Sequence, residues 1–599
     1  MVDAESIRRA PFASQYLSRL SRWLELRAIG LTPEHLHIED GLRAAVIVMA
    51  PLLLIIITGE RSLGWAIFAA FWTCLADTGG PEKSRRALLA GFVLIGSATA
   101  WVTSYIAGLG MLPALVAGPV LVGLTALIPL RWRGSALVAT LLGVVAVVAA
   151  GYPQTPAGAI RLGLTFLGGG AWAALVSTYL WRTDRWLPAR QAMAAVYARL
   201  ADMAADLNDP AGDKSGEDQG VKHGQFRRAI RGAIERANTQ MGKAAGRSGS
   251  TPADLKTALA TADEIFHAMI ALDHSRLIWR GNEHVETAVE PLPRLLAAAR
   301  NAQLSLRGEP IDWREQAAEL SALVKPCEGA PAGALRAIAE ALSQLHAPTS
   351  GPAIIGTDDT AAARAKQILR IAVRTSVGVA LVTIVTHMLS LSYPYWATMA
   401  VVVIMQPVRR MSWSRGIERI LGSVSGGVLA GLLLPVLTSS WTMAAVIALV
   451  SAATIALRSV NYTVFVVFLT LLFVLVMHTL HPGSGIASAR ILDNVLGSFV
   501  AILATLLIWP DRGRSVGEFV PAAVSANRAY LEAVQKGDAQ EIAAARREAG
   551  LASTDAEIAI HAPDSFLGSR PTAENLAALR TARHLAGEAA TLWYAKQGG

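Results

Sequence analysis

The chain has 599 residues, of which 53% are hydrophobic and only 17% charged, with a mean hydropathy of +0.40. That is too apolar for an ordinary soluble enzyme and reads as a membrane protein. The formal charge of +9 does not mark a nucleic-acid binder, because the Lys and Arg residues fall mostly outside the apolar runs, where they set membrane orientation.

Residues 1–41 hold no span. Tyr16, Leu17, Leu20, Trp23 and Leu24 recur at helical spacing between Arg19, Arg22 and Arg27, which predicts an amphipathic helix on the cytoplasmic lipid surface. No short apolar core precedes a small-residue cleavage site, so no removable signal peptide is expected. His35, His37, Glu39 and Asp40 cluster, but no second ligand group stands at a matching spacing, and a solvated entry to the first span is the expectation.

Six apolar segments follow, near 42–58, 64–77, 88–107, 114–130, 135–150 and 160–181. Their links alternate between basic (Arg85-Arg86, Arg131 with Arg133, Arg182 with Arg185) and uncharged, which places the N-terminus and every second link in the cytoplasm. A second block repeats the scheme near 367–389, 394–406, 418–435, 441–457, 461–478 and 488–509. Landmarks correspond in order: Arg43 with Arg370, Trp65 with Trp396, Arg86 with Arg419, Arg131 with Arg458, Arg161 with Arg490 and Trp181 with Trp509. The fold class expected is therefore all-α and polytopic, with about twelve transmembrane helices in two parallel six-helix repeats, 42–182 and 367–510, related by a pseudo-two-fold axis along the membrane normal. Between them, 183–366 reads as a cytoplasmic helical domain, with helices around 186–206, 224–244, 252–283 and 331–346 and a flexible loop at Gly212–Gly220. Residues 511–599 read as a cytoplasmic helical C-terminal region packing against it. Cys74 lies in an apolar run and Cys327 in a polar one, which speaks against a disulfide framework.

The second segment of each block carries the functional argument. It offers only about 12–14 apolar residues, a helical rise of roughly 20 Å against a hydrocarbon thickness of about 30 Å. Short segments at matching places in two repeats point to a transporter's site, since they must border something other than lipid, here expected to be a watery chamber. Trp65, Trp72, Tyr395 and Trp396 are then candidates to stack on a flat apolar substrate, although Trp and Tyr also serve as interface anchors. Gln406 ends the second of these segments. An anionic substrate needs positive charge within reach, and Arg374 and Arg490 are the candidates, with Arg86 and Arg419 read instead as topology signals that bind lipid phosphate. Asp493, three residues past Arg490 and aligned with Leu164 of the first block, forms either a permanent ion pair with Arg490 or a proton carrier. Asp77, His387 and His478 are further candidates for the proton relay. Gly422, Gly426, Gly427 and Gly431 predict close helix packing.

Trp396-Ala397 followed by Gln406-Pro407, then Arg415, Arg419-Ile-Leu-Gly422, and Arg490-Ile-Leu-Asp493-Asn494-Val-Leu-Gly497 resemble the pattern of the fusaric acid resistance (FUSC) and aromatic acid exporter family. The resemblance covers the second block well and the first loosely. It implies an exporter of aromatic carboxylates in the bacterial inner membrane, working with a periplasmic adaptor (membrane-fusion) protein. The residues themselves show neither a phosphate-binding loop nor paired Cys or His ligands, so no cofactor, metal or enzymatic activity is expected and an ion gradient is left as the energy source. The expected function is proton-driven efflux of amphipathic organic anions. A passive anion channel and a non-transporting scaffold or sensor are the alternatives, and whether the chain forms a homodimer is open.

Overall fold

The computed structural model describes residues 36–132, 135–181, 184–209, 216–246, 251–304, 311–345, 361–405, 412–481, 485–508, 516–561 and 572–598. The N-terminal segment 1–35, Gln406-Pro407, Trp509 and the side chain of Arg415 lie outside the described residues. All the regular structure described is helical. The first repeat comprises α1 (Ile38–Thr58), α2 (Gly64–Ala76), α3 (Glu82–Gly108), α4 (Met111–Ala126), α5 (Ala136–Ala150) and α6 (Pro156–Leu175). The insert holds α7 (Leu187–Leu207), α8 (Gly216–Ala245), α9 (Ala253–His274), α10 (Leu292–Leu304), α11 (Trp313–Val324) and α12 (Gly329–Gln344). The second repeat follows as α13 (Ala361–Met388), α14 (Tyr395–Ile404), α15 (Ser412–Leu433), α16 (Ser440–Leu457), α17 (Tyr462–Leu480) and α18 (Ile486–Leu507), and then α19 (Val516–Lys536), α20 (Ala539–His561) and α21 (Ala573–Gly598).

Among the described residues, nine helices are long and apolar enough to cross a membrane and three are shorter: Arg61–Ala76, Ala136–Ala150 and Tyr395–Ile404. The short ones sit inside the protein. Eleven of the 13 residues of α2, 12 of the 15 of α5 and nine of the ten of α14 are buried. Helices that do not reach across lipid are thus wrapped by helices that do, which satisfies the bilayer's demand that polar backbone ends not face hydrocarbon. Gly59 closes α1 in the left-handed conformation, its N–H donating to the Ile55 carbonyl at 2.8 Å, and Gly79 and Gly80, with φ of 73° and 106°, turn the chain from α2 into α3.

Equivalent helices of the two repeats make equivalent contacts. The first helix of each repeat packs on the fourth of the other, α1 on α16 and α13 on α4. Within each repeat the second packs on the sixth, and the third on both fifth and sixth. On α15, Gly422 and Gly426 lie against α17 and Gly427 against Ile491 of α18, so these glycines do admit close packing, whereas Gly431 faces open space.

The chain divides into two compact units, one built from the repeats and one from the described parts of 185–355 and 512–599. In the second unit α21 packs on α9 and α12, which joins the insert to the C-terminal helices. There Arg546 of α20 bridges Glu264 at 2.9 Å and Asp263 at 3.4 Å, and the Tyr594 hydroxyl donates to Glu264 at 2.7 Å. The Arg546 charge and these hydrogen bonds outweigh burial and hold the Glu264 carboxyl below its usual range. Helix α8 begins at Gly216, so residues 216–220, expected in a loop, are helical; α10, α11 and α20 are helices that the hydrophobic pattern did not separate.

Candidate functional site

Two glycines set the register between the repeats. A Cβ on Gly169 of α6 would stand 2.2 Å from the Ala66 carbonyl oxygen of α2, and one on Gly497 of α18 would stand 2.3 Å from that of Ala397 in α14. Only a bare backbone allows these helices to touch. Counted from this matched pair, Arg490 lies opposite Leu162, Asp493 opposite Thr165 and Asn494 opposite Phe166. The expected equivalence of Arg161 with Arg490, and of Leu164 with Asp493, is one residue out, and one residue on a helix is a different face. Accordingly Arg161 is exposed and Arg490 only 1% exposed. Counting back from Trp65 and Trp396 likewise pairs Arg43 with Arg374, both buried, rather than with Arg370, which is exposed. By burial Arg419 matches Arg85, since Arg86 reaches out to pair with Glu82.

The first repeat uses its arginines on one acid. The carboxylate of Asp77, just past α2, accepts two hydrogen bonds from Arg85 at 2.7 and 2.5 Å and one from Arg43 at 3.2 Å. Arg43 also pairs with Asp40 at 3.0 Å. Arg458 reaches in from the second repeat and donates to the backbone carbonyls of Asp77 at 3.2 Å and Cys74 at 3.5 Å, capping the C-terminal end of α2. Asp77, expected in the proton relay, is thus the shared acceptor of Arg85 and Arg43. Protonating it would leave Arg85 without a carboxylate and Arg43 with Asp40 alone, a geometry that favours an anchoring role. Asp40 and Glu39 are likewise engaged, Glu39 accepting from the Trp181 indole at 3.3 Å, and among the described residues no group of His, Cys, Asp and Glu could hold a metal.

The second repeat is different. The Arg490 guanidinium sits 4.9 Å from the ring centre of Trp396 and 5.2 Å from that of Phe473. Trp396, 1% exposed, is stacked on Tyr393 at 4.8 Å. Nε and Nη1 of Arg490 are buried with no hydrogen-bond acceptor. The expected ion pair with Asp493 is not made: no described carboxylate comes within 4.0 Å of Arg490, although both residues are 1% exposed. Spacing of three puts them on one side of α18, but Arg490 turns to the aromatic rings and Asp493 Oδ2 is left without a partner. Arg419, expected at the lipid surface, is also 1% exposed, and its Nη2 donates to the Asn494 side chain at 3.3 Å. Ser423 and Ser498, one turn along from Arg419 and Asn494, are buried with free hydroxyls. Arg374 is buried on α13.

The other candidates distribute as follows. Trp72 is 2% exposed and stacks on Phe68 at 5.6 Å, and Phe68 stacks on Phe473 at 5.5 Å, so an aromatic column runs from α2 to Arg490. Trp65 is half-buried, edge-on to Tyr152 at 5.7 Å. The Tyr395 hydroxyl meets that of Tyr152 at 3.0 Å, joining the repeats at the opposite end of α2 from Asp77. His387 is exposed on the last turn of α13; His478 is half-buried with Nδ1 unpartnered. Where a watery chamber is expected, the space between α2 and α17 is an apolar gap of about 10 Å³ lined by residues such as Val48, Phe68, Phe71 and Phe473. That is the least space one water needs, and its walls offer no hydrogen bond. Phe473 escapes sequence reasoning because nothing in its local pattern separates it from ordinary span residues, and Tyr152, in the link after α5, and Asn494, within the Arg490–Gly497 motif, receive no role from it.

Two interlocked six-helix repeats, central helices too short to span, and a buried arginine beside aromatic rings describe a polytopic all-α membrane protein in which the buried cation without a described carboxylate lies in the second repeat. Residues 377–504, most of that second repeat, match the family described as fusaric acid resistance protein-like. This repeat is what makes the chain similar to that family. It is 27% identical over 168 residues to the inner membrane protein YccS of Escherichia coli, covering 28% of this chain and 23% of that protein. An uncharacterized protein of Haemophilus influenzae is 30% identical over 148 residues, 24% of this chain and 20% of that one. The chain thus matches less than a quarter of the length of either relative. No solved structure matches it.

Proposed function

We propose that the protein is a secondary transporter that exports amphipathic organic anions, aromatic carboxylates above all, from a bacterial cytoplasm in exchange for protons. The observation that carries this is Arg490: a buried cation with two orphaned N–H groups, no carboxylate partner, and an aromatic ring on each of two sides. Burying a charge without a counter-ion costs several kcal/mol. A site that bears this cost in its resting state gains when a carboxylate arrives, and the rings of Trp396 and Phe473 suit a flat substrate. Arg419 and Arg374 add positive potential in the same repeat. Asp493, buried and unpaired, is the group placed to take a proton on the other limb of the exchange. One charge crossing 100 mV is worth about 2.3 kcal/mol, enough for more than tenfold accumulation.

Two contacts between the repeats close this core at its ends, the Tyr152–Tyr395 hydroxyl pair and Arg458 on the carbonyls of Cys74 and Asp77. Closure at both ends favours a carrier over an open channel. The alternation of basic links puts Arg458 and both termini on the cytoplasmic side, and places 183–366 and 511–599 there too. A periplasmic adaptor and a homodimer are compatible partners on this reading. The test is uptake of radiolabelled benzoate by inverted membrane vesicles. Accumulation that is abolished by a protonophore and by Arg490→Ala supports the carrier; downhill flux indifferent to the protonophore makes it a channel; no flux in the native protein overturns transport.

A further inference from the structure

The unit built from 185–355 and 512–599 contains a second concentration of arginine, unrelated to the repeats. Within one turn α8 presents Arg227, Arg228 and Arg231, and α21 adds Arg583 from across the bundle. Two acids answer them. Arg227 pairs with Asp273 at 2.8 Å, and Arg583 grips Glu557 with two bonds of 2.6 and 2.8 Å. Arg227 also donates to the Arg583 carbonyl at 3.4 Å, and a Cβ on Gly224 would collide with the Arg583 guanidinium, so the Arg583 side chain lies directly against α8. Asp263, the next acid along, is taken by Arg546 at 3.4 Å.

Arg228 and Arg231 are left over. Both are half-buried, and neither makes an ion pair or hydrogen bond with the described residues. Arg231 lies 5.7 Å from the Phe266 ring. Burial first, and the Arg227 charge second, lower its guanidinium to about 10, so it remains charged at neutral pH. With Arg546 and its two acids, Asp263 and Glu264, the local account is five guanidiniums against four carboxylates, and the two guanidiniums without a direct partner are neighbouring side chains three residues apart, which face the same way.

We propose that Arg228 and Arg231 form a binding site for a doubly charged phosphate group. Two guanidiniums without a direct partner, each a planar fork on one face, match the several oxygens of a phosphate dianion better than a single carboxylate. Partial burial weakens screening and strengthens the attraction. The phosphate is either that of a soluble ester or ion, or a lipid headgroup, and the site would make the state of this unit depend on it.

The test is isothermal titration of the full chain in nanodiscs of neutral lipid with inorganic phosphate, against chloride at equal ionic strength. Saturable binding is expected at one site per chain. R228A/R231A should weaken it by at least about tenfold, with R228K/R231K falling between, because lysine keeps the charge and loses the fork. Arg490→Ala should leave it unchanged, which separates this site from the one in the repeats. In nanodiscs of anionic lipid, a rightward shift that disappears in R228A/R231A assigns the site to a headgroup; an unshifted curve assigns it to free phosphate. Absence of saturable binding in neutral nanodiscs, or equal binding by a folded R228A/R231A chain, overturns the proposal.

Discussion

In the first repeat Arg43 and Arg85 converge on Asp77, and each has a carboxylate oxygen within 3.2 Å. In the second, Arg374 and Arg419 occupy the equivalent helix positions, Arg490 joins them, and neither Arg419 nor Arg490 forms an ion pair with a described carboxylate. The sixth helices make the same point, for Arg490, Asp493 and Asn494 stand where the first repeat has Leu162, Thr165 and Phe166. The two halves share a scaffold and differ in their buried charge. The first pairs Arg43 and Arg85 with a carboxylate, while the second leaves Arg490 without one among the described residues.

The largest effect that tests this difference is on stability. Asp77→Ala leaves Arg85 without a carboxylate and Arg43 with Asp40 alone, and should cost about 3–5 kcal/mol, read as a fall in melting temperature in detergent. Asp493→Asn removes no ion pair and should change stability by less than about 1 kcal/mol while uncoupling benzoate uptake from the proton gradient. Equal losses from the two would break the comparison. Gly169→Ala and Gly497→Ala should each cost about 1–3 kcal/mol by overpacking, and by similar amounts, because each forces a Cβ onto the same carbonyl of a short helix. Unequal melting shifts would mean the repeats are not in the register assigned. Arg490→Lys should weaken benzoate binding about tenfold in a direct binding assay, since a point charge neither forks to a carboxylate nor stacks between rings. Trp396→Phe, which keeps the stack and weakens the cation–π attraction, should cost only about threefold.

Much of the architecture is legible in the amino-acid order, and the reasons are physical. Lipid enforces long apolar runs, arginines fix which links share a side, and a run too short to span announces itself. The wrapping of α2 and α14 by longer helices follows from that argument; the water expected beside them does not, because side chains such as Phe68, Phe473 and Trp72 fill the space as well as water would. Register is lost for a different reason. Links of unequal length let an alignment by like residues slip by one, and Arg161 then seems to answer Arg490 although the glycine contacts show that Leu162 does. The pairing of Arg490 with Asp493 fails because spacing fixes the face and not the direction of a long side chain, which here is drawn to the rings.

The joining of 185–355 to 512–599 through Glu264, Arg546 and Tyr594 also bears on biogenesis. A ribosome delivers the insert before the second repeat and the last helices after it, so the insert's core lacks its α20 and α21 neighbours until six further helices have entered the bilayer. Completion of this unit therefore reports that the membrane half has been threaded, and a chain arrested in mid-insertion would display an unfinished apolar surface to the quality-control proteases.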